Sequence, residues 1–419
     1  MTFSWRKLAP AGNFPSLAAL SRAYRKLERL NQESDRDYLV AALEKLGNAL
    51  CLQSDAEQVY FYGSGSEAIY RILLALKKVT DKNIVALSAY TCPDIVTACL
   101  HAGFQVLPVD ISPYSLEMDT STIADEHLEQ IAAVVLSNLY GLTDSLEPLK
   151  RNKWLLIDDA CQGFFSRDEN GHVGCRANTI GVVSFSRGKA ICGFGGGGVL
   201  IGRHSFRKEL TKDVISKLAE SYEAEIDVLG LARLAYHILK IGGQTILERP
   251  QFYALPVAAP FLHLGQTIIK KQVMMKPINL PQIVAAWAQI KEQNNVTFPA
   301  HAQLWHEMLQ GLEVIEPFIE RGVDFSGSVR VQRYPLVLAS DEQRDKVLSK
   351  LNQFGLGASA SYPQAITDYR EFQGAGLISC PCPNAQQVAK RIITVPIHKY
   401  VRMEDIHQGC QVIRACLAA

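Results

Sequence analysis

Leu155-Leu-Ile-Asp-Asp-Ala-Cys-Gln162 runs as an apolar strand and ends in two acids. Open α/β sheets bind ligands at the carboxyl ends of their strands. A carboxylate buried there is costly unless a cation meets it. A pyridinium nitrogen is one such cation; a helix cap or a metal ligand is the plainer alternative. Val182-Val-Ser-Phe-Ser-Arg-Gly-Lys189 follows, and then the glycine-rich return Gly193-Phe-Gly-Gly-Gly-Gly198. A lysine just past a buried strand and facing such a return sits where its amine is partly desolvated. Desolvation lowers its pKa and leaves a nucleophile toward an aldehyde. A loop lysine is ordinarily a solvated surface group, but the neighbours on both sides count against that here.

Outward from these two segments, short apolar runs alternate with helical stretches. Strands are expected at 84–87, 105–109, 133–136, 154–157, 182–185 and 198–201, with helices such as 67–77 and 95–101 between them. That alternation predicts an α/β fold whose largely parallel sheet is covered on both faces. Residues 14–50 read as helical, with Leu17, Leu20, Tyr24, Leu27 and Leu30 at three- and four-residue intervals. Residues 207–275 break the rhythm, a long helical run follows at about 281–312, and the chain ends in strand (331–338), helix (341–354), strand (392–396) and a last helix from 404. A chain of 419 residues exceeds what one core usually supports. The expected division is an N-terminal helical arm at 1–55, a large α/β domain at 56–300 and a smaller C-terminal α+β domain at 301–419.

Two further segments reach the same sheet edge. Tyr62-Gly-Ser-Gly-Ser-Glu-Ala-Ile69 is a glycine-rich turn entering a helix, where small residues and unpaired N–H groups receive an anion; an ordinary serine N-cap explains it equally well. Leu87-Ser-Ala-Tyr-Thr-Cys-Pro93 brings an aromatic to a strand end, where such a ring more often packs in the core.

Composition removes several classes of function. Lys+Arg (43) and Asp+Glu (42) nearly cancel and no basic run occurs, so a nucleic-acid partner is not expected. No uncharged apolar stretch of about 18 residues is present to span a bilayer. The first ten residues have no apolar core of signal-peptide length, and the ten cysteines form no compact framework, Cys380-Pro-Cys382 matching neither a zinc knuckle nor a redox pair. A cytoplasmic protein with free thiols and no metal site is the expectation.

The order and spacing of these segments resemble the DegT/DnrJ/EryC1/StrS family, the fold-type-I pyridoxal-phosphate sugar aminotransferases. Gly63-Ser-Gly-Ser-Glu-Ala68 looks like its phosphate-cup turn, Asp158-Asp-Ala-Cys-Gln162 like its acidic motif, and the five-residue step from Ser184 to Lys189 like its Schiff-base spacing. Asn138-Leu-Tyr-Gly141, Leu280-Pro-Gln-Ile-Val-Ala-Ala286, Ser361-Tyr-Pro363 and Ala389-Lys-Arg-Ile-Ile-Thr-Val-Pro396 resemble further signatures. The resemblance implies a mostly parallel, seven-stranded-type sheet between helices with a smaller C-terminal domain. It implies pyridoxal 5'-phosphate on Lys189 and Asp159 against the ring nitrogen. Gln162 is implied near the ring hydroxyl or face, Ser184 with Gly65, Ser66 and Glu67 at the phosphate, Tyr90 or Cys92 over the ring, and Asn138 nearby. Three departures stand out: Gly195 replaces a common glutamate, Pro277-Ile-Asn-Leu280 replaces an Asn-x-Arg-Met stretch, and 207–275 is longer than usual.

The implied activity is transfer of an amino group from an amino acid, glutamate in the first instance, to a keto-sugar linked to a nucleotide or lipid in polysaccharide or glycan assembly. Another fold-type-I reaction (a lyase or synthase acting on an amino acid) and a non-catalytic regulator that binds the cofactor are the alternatives. A homodimer is implied by the family alone. Within 207–275, Leu231, Leu234, Ala235, Ile238 and Ile241 form an apolar face beside a basic stripe of Arg233, His237 and Lys240, followed by Phe252, Tyr253, Leu255, Phe261 and Leu262. The segment 228–264 therefore suits either packing on the body or a second subunit, or peripheral contact with a membrane.

Overall fold

The computed structural model describes residues 6–12, 14–28, 34–149, 153–259, 269–292, 299–325 and 333–418. Its centre is a seven-stranded sheet. The strands are β1 (Ala56–Tyr62), β2 (Ile84–Ser88), β3 (Gln105–Val109), β4 (Ile131–Leu136), β5 (Leu155–Asp159), β6 (Thr179–Ser184) and β7 (Gly197–Gly202). They lie in the order β1-β7-β6-β5-β4-β2-β3. β2 pairs in parallel with β3 and β4, β4 with β5, and β5 with β6. β7 runs antiparallel to both β1 and β6. The expected strand set omitted β1 and began β6 three residues late, at Val182 rather than Thr179. β1 reads Ala-Glu-Gln-Val-Tyr-Phe-Tyr, and its two polar residues near the start hide the apolar signal.

The faces of the sheet follow the period-two rule. Tyr60, Tyr62, Val85, Leu87, Ile157 and Val182 pack on one side with Ala68, Ile69, Ile72 and Leu73 of α3 (Gly65–Leu76). Phe61, Val183 and Leu200 pack on the other with Leu43, Leu46 and Leu50 of α2 (Asp35–Gln53) and Ile283 and Val284 of a later helix, Leu280–Glu292. Both faces are dry, which is why these strands read as continuous apolar runs. The stretch 14–50, read as helical, holds two helices, α1 (Leu17–Glu28) and α2, and Leu30 lies outside the described residues. Ser34 starts α2 by accepting the Asp37 N–H at 3.2 Å.

Beyond the sheet, α4 is Pro93–His101, α5 is Glu209–Ser221 and α6 is Leu231–Leu247. The expected run at 281–312 is helical at Leu280–Glu292 (α7) and Pro299–Leu309 (α8), with 293–298 outside the described residues. Strand β8 (Arg333–Val337) pairs antiparallel with β9 (Ile392–Pro396), backed by α9 (Asp341–Gln353), α10 (Pro383–Arg391) and α11 (Met403–Leu417). Residues 331–332 of the expected strand, and 260–264 with Phe261 and Leu262, lie outside the described residues. The N-terminal segment is tied to this C-terminal part: Arg6 forks onto Asp405 at 2.6 and 2.8 Å, and the Leu8 N–H donates to Gly355 O.

The block 207–275 lies only partly on the body. α5 packs against α3, and Ile226–Asp227 pairs in parallel with Ile278–Asn279. Of the apolar face expected on α6, only Ile241 is buried, whereas Leu231 is 84% exposed and Ile238 40%; Leu239, outside that face, is 75% exposed. The amphipathic pattern is real, but no described part of this chain covers its first turns. Of the basic stripe, Arg233 is bonded to Asp227 at 2.7 Å.

Gly181 of β6 shows how tightly the site end of the sheet is held: a Cβ there would stand 1.8 Å from Gly174 O. Gly181→Ala is expected to cost about 3 kcal/mol or more, because a backbone atom must yield. Urea unfolding of the variant against the parent measures it.

Candidate active site

A cavity of about 560 Å3 opens at the carboxyl ends of the parallel strands, walled by Cys92, Gln162, Lys189, Ser361 and Tyr362 together with Ala9, Phe14, Gln244 and Tyr253. A second hollow of about 630 Å3 is walled by ion pairs such as Arg167–Asp55 and holds none of the expected residues.

Lys189 is half-buried in the cavity wall. Burial alone lowers its pKa, as the sequence implied, but Tyr362, Cys92, Cys161 and Asp159 lie close enough to outweigh it. The net direction is upward, so the ammonium form is favoured. Sequence could not show that four groups from three segments converge on this one amine. Asp159, at the end of β5, is buried and accepts the Cys161 N–H at 2.9 Å. Burial raises its pKa, and Lys189 opposes the rise. An arriving cation would favour its ionised form further.

Behind Asp159 lies a buried charge network. Asp158 accepts from Arg176 Nε at 2.9 Å and Nη2 at 2.6 Å, and from the Gly174 N–H at 2.7 Å. Arg176 is completely buried and also reaches Asp168 at 2.9 Å and the Asp144 carbonyl at 2.6 Å. Burial acts to raise the Asp158 pKa, but Arg176 and the hydrogen bonds win and hold it below the usual carboxylate range. Asn138 is drawn into this network. Its amide donates to Asp158 at 2.7 Å and to Asp159 O at 3.0 Å, and its carbonyl accepts from Arg176 at 3.1 Å. It stands behind the cavity rather than in its wall, holding the loop with left-handed backbone (φ 34°). The Asp-Asp pair was legible in sequence as an acidic strand end; Arg176, seventeen residues beyond Asp159, carried no local signal.

The glycine-rich turn meets Ser184 across 119 residues of chain. Ser64 caps α3 by accepting the Glu67 N–H at 3.0 Å. Glu67 itself is buried, accepting from the Gly63 N–H at 3.2 Å and from Arg71, so its carboxylate serves the turn. A Cβ on Gly65 would lie 2.9 Å from Ser184 Cβ and 3.1 Å from Cys161 Sγ. Only glycine lets the α3 N-terminus, with Ser66 on it, close on that serine. The result is a cradle of backbone donors, a hydroxyl and a helix end suited to a phosphate.

Tyr90 and Cys92 separate. Cys92 is in the cavity wall, whereas Tyr90 is buried and its hydroxyl is 3.0 Å from that of Tyr140. Tyr140 O–H in turn donates to Ser361 Oγ at 2.8 Å, and Gln162 Nε2 donates to the Tyr362 hydroxyl at 3.0 Å. Gln162 Oε1 also accepts the Tyr140 N–H at 3.1 Å. These bonds join the sheet to the Ser361–Tyr362 segment. Tyr140 was not singled out from the sequence. His398 is buried against the Ala9 carbonyl at 2.9 Å, and burial pushes it down to about 4.

An amine, a buried carboxylate and an anion cradle around one cavity match the donor set that pyridoxal phosphate needs. The sequence profile of the DegT/DnrJ/EryC1/StrS aminotransferase family matches residues 39–212 and 283–414. The chain belongs to this family. It is therefore a pyridoxal-phosphate-dependent aminotransferase by descent, and the unmatched interval falls largely on the long block noted above. A protein of Geobacillus stearothermophilus named "Pleiotropic regulatory protein" is 23% identical over 376 residues, 89% of this chain and 88% of that one. Among solved structures, 3-amino-5-hydroxybenzoic acid synthase superposes with a TM-score of 0.71 at 15% identity, covering 97% of this chain and 99% of that one. PseC of Helicobacter pylori, an aminotransferase of pseudoaminic acid biosynthesis, gives 0.70 at 16%, covering 99% and 100%. At these identities the structures show the fold, which is the one expected.

Arg176→Met is expected to cost about 3–5 kcal/mol in urea unfolding at neutral pH, since it leaves Asp158 charged and unpaired in the interior. Asp158 is depressed in the folded state, so its pairing contributes above the ordinary aspartate range and is lost as pH falls through the lower folded value. The deficit of the variant should therefore narrow below about pH 4.

Proposed function

We propose that this protein transfers an amino group from glutamate to a keto-sugar, carried on a nucleotide or lipid, in polysaccharide or glycan biosynthesis, with pyridoxal phosphate on Lys189. The observation that supports it is the placing of Lys189 at the cavity with Asp159 acting on its charge. When bound, the cofactor supplies an aldehyde that exchanges amines and a ring that withdraws electrons. Asp159 would keep the ring nitrogen protonated. Gly65, Ser66 and Ser184 would bind the phosphate, and Cys92 and Gln162 would flank the ring. Lys189 Nζ would hold the cofactor at rest and, once free, would carry the proton from the donor α-carbon to the cofactor side.

The Geobacillus relative's name keeps a regulatory reading in play, and a lyase or synthase would share the same cofactor residues. The visible spectrum separates these. The purified protein is expected to be yellow, to lose its visible band with glutamate and to regain it with a keto acid. A yellow protein indifferent to glutamate would favour another donor, another reaction or regulation. Lys189→Ala should keep the fold and abolish both the native band and turnover; wild-type turnover in it would sink the assignment.

We also propose a cytoplasmic homodimer in which a second copy covers the exposed face of α6. Arg233 of the basic stripe is bonded to Asp227, and burial with the nearby Lys240 and Arg233 pushes His237 down. That leaves little net charge to draw an anionic membrane. No helix among the described residues is long and apolar enough to cross one. Sedimentation velocity should give a dimer that Leu231→Glu with Leu239→Glu weakens. A monomeric wild type that pellets with anionic vesicles at low salt would favour the membrane instead.

A further inference from the structure

The cavity has two kinds of wall. Gln162, Lys189, Ser361 and Tyr362 lie in stretches that the family profile matches, whereas Gln244, Glu248 and Tyr253 lie in the interval it leaves unmatched. The first set supplies groups that the cofactor reading uses. The second belongs to the long block of this chain, and it brings an amide, a carboxylate and a phenol to the cavity. Gln244 and Glu248, four residues apart at the end of α6, share one side of the helix. Tyr253 follows on the turn after it, half-buried.

Stability alone does not account for Glu248. It is buried, and it closes the C-terminal end of α6, where the helix dipole disfavours an anion. The Phe14 N–H donates to its Oε2 at 3.2 Å and fixes where the carboxylate stands. Asp94, another acid in the wall, is bonded to Lys270.

The charges around this wall are of both signs. Burial raises the pKa of the Tyr253 phenol, Glu248 adds to the rise, and Arg333 and Arg187 oppose it. Both arginines also line the cavity. An anionic group placed here would meet Glu248, and a cationic one would meet two guanidinium groups. An uncharged hydroxyl suits both, because it donates to a carboxylate or amide oxygen and accepts from a guanidinium or a phenol.

We infer that Gln244 and Glu248, with the Tyr253 phenol, recognise the ring hydroxyls of an uncharged, polyhydroxylated ketone acceptor, an inference that rests on the transamination reading above. The shared wall then carries the chemistry, and the wall peculiar to this chain selects which ketone receives the amino group. A site built to bond hydroxyls rejects an analogue without them, because its own polar groups are left unpaired.

The probe is inosose, the ketone of inositol, which is a cyclohexanone with a hydroxyl on each remaining ring carbon and no carrier; cyclohexanone is its bare counterpart. The protein is loaded with pyridoxamine phosphate, and the appearance of the visible band is timed with either ketone or with 2-oxoglutarate, which has no hydroxyl. Gln244→Leu and Glu248→Gln should each lower the ratio of the inosose rate to the cyclohexanone rate at least tenfold, a comparison in which the intrinsic reactivity of the two ketones cancels. Glu248→Gln keeps the size of the side chain and an acceptor for the Phe14 N–H, and 2-oxoglutarate should restore the band in both variants. A ratio that neither substitution moves, or a wild type no faster with inosose than with cyclohexanone, would overturn this inference and leave the Lys189 reading standing. A folded Glu248→Gln that slows with 2-oxoglutarate by the same factor would assign the carboxylate to holding the N-terminal segment and overturn it as well. A wild type that gains no band with any of the three would remove the transamination reading and this inference with it.

Discussion

The buried pairing of Arg176 with Asp158 is the constraint on which the site rests. Two adjacent acids end β5 in the interior, and two such charges cannot both be left without partners there. The fold gives Asp158 a fully buried guanidinium, the Gly174 N–H and the Asn138 amide. Asp159 is left facing Lys189 and the cavity. One carboxylate is consumed in structure so that its neighbour, pointing the other way on the pleat, is available for chemistry. Gly181 belongs to the same arrangement, because the strand must lie against Gly174 for that N–H to reach Asp158.

A second set of bonds carries the site across the molecule. Tyr90, Tyr140 and Gln162 come from the sheet edge, Ser361 and Tyr362 from the C-terminal part, and their hydroxyl and amide groups join in a nearly dry interior. Such networks rigidify when every member is satisfied. Here they bring the phenol of Tyr362 near Lys189 and set β8, with Arg333 at its start, against the Gly188 turn. The lysine therefore meets groups from three parts of the chain, and its pKa direction follows from them rather than from burial alone.

The long block after β7 divides in two by its contacts. The end of α6 and the turn after it supply Gln244, Glu248 and Tyr253 to the cavity wall, while the first turns of α6 present leucines to the outside. A helix that is amphipathic in sequence but uncovered in its own chain implies that its apolar side is meant for something else.

Sequence alone determined the class of fold and most of the chemistry, because both depend on local signals. Apolar runs alternating with helices predicted a covered, mostly parallel sheet. Acids, serine, lysine and glycines at strand ends marked one edge of it, and their spacing matched a family. Burial on both faces made β2 to β6 conspicuous, whereas β1, with Glu57 and Gln58 near its start, was missed. The antiparallel course of β7 was equally invisible, since strand direction leaves no local trace. Only the tertiary structure decided which of Tyr90 and Cys92 lines the cavity, that Asn138 stands behind it, and that Arg176 matters at all. Each of these turns on residues far apart in sequence that the fold brings together. The direction of the Lys189 shift was decided in the same way, by the groups that the fold assembles around it.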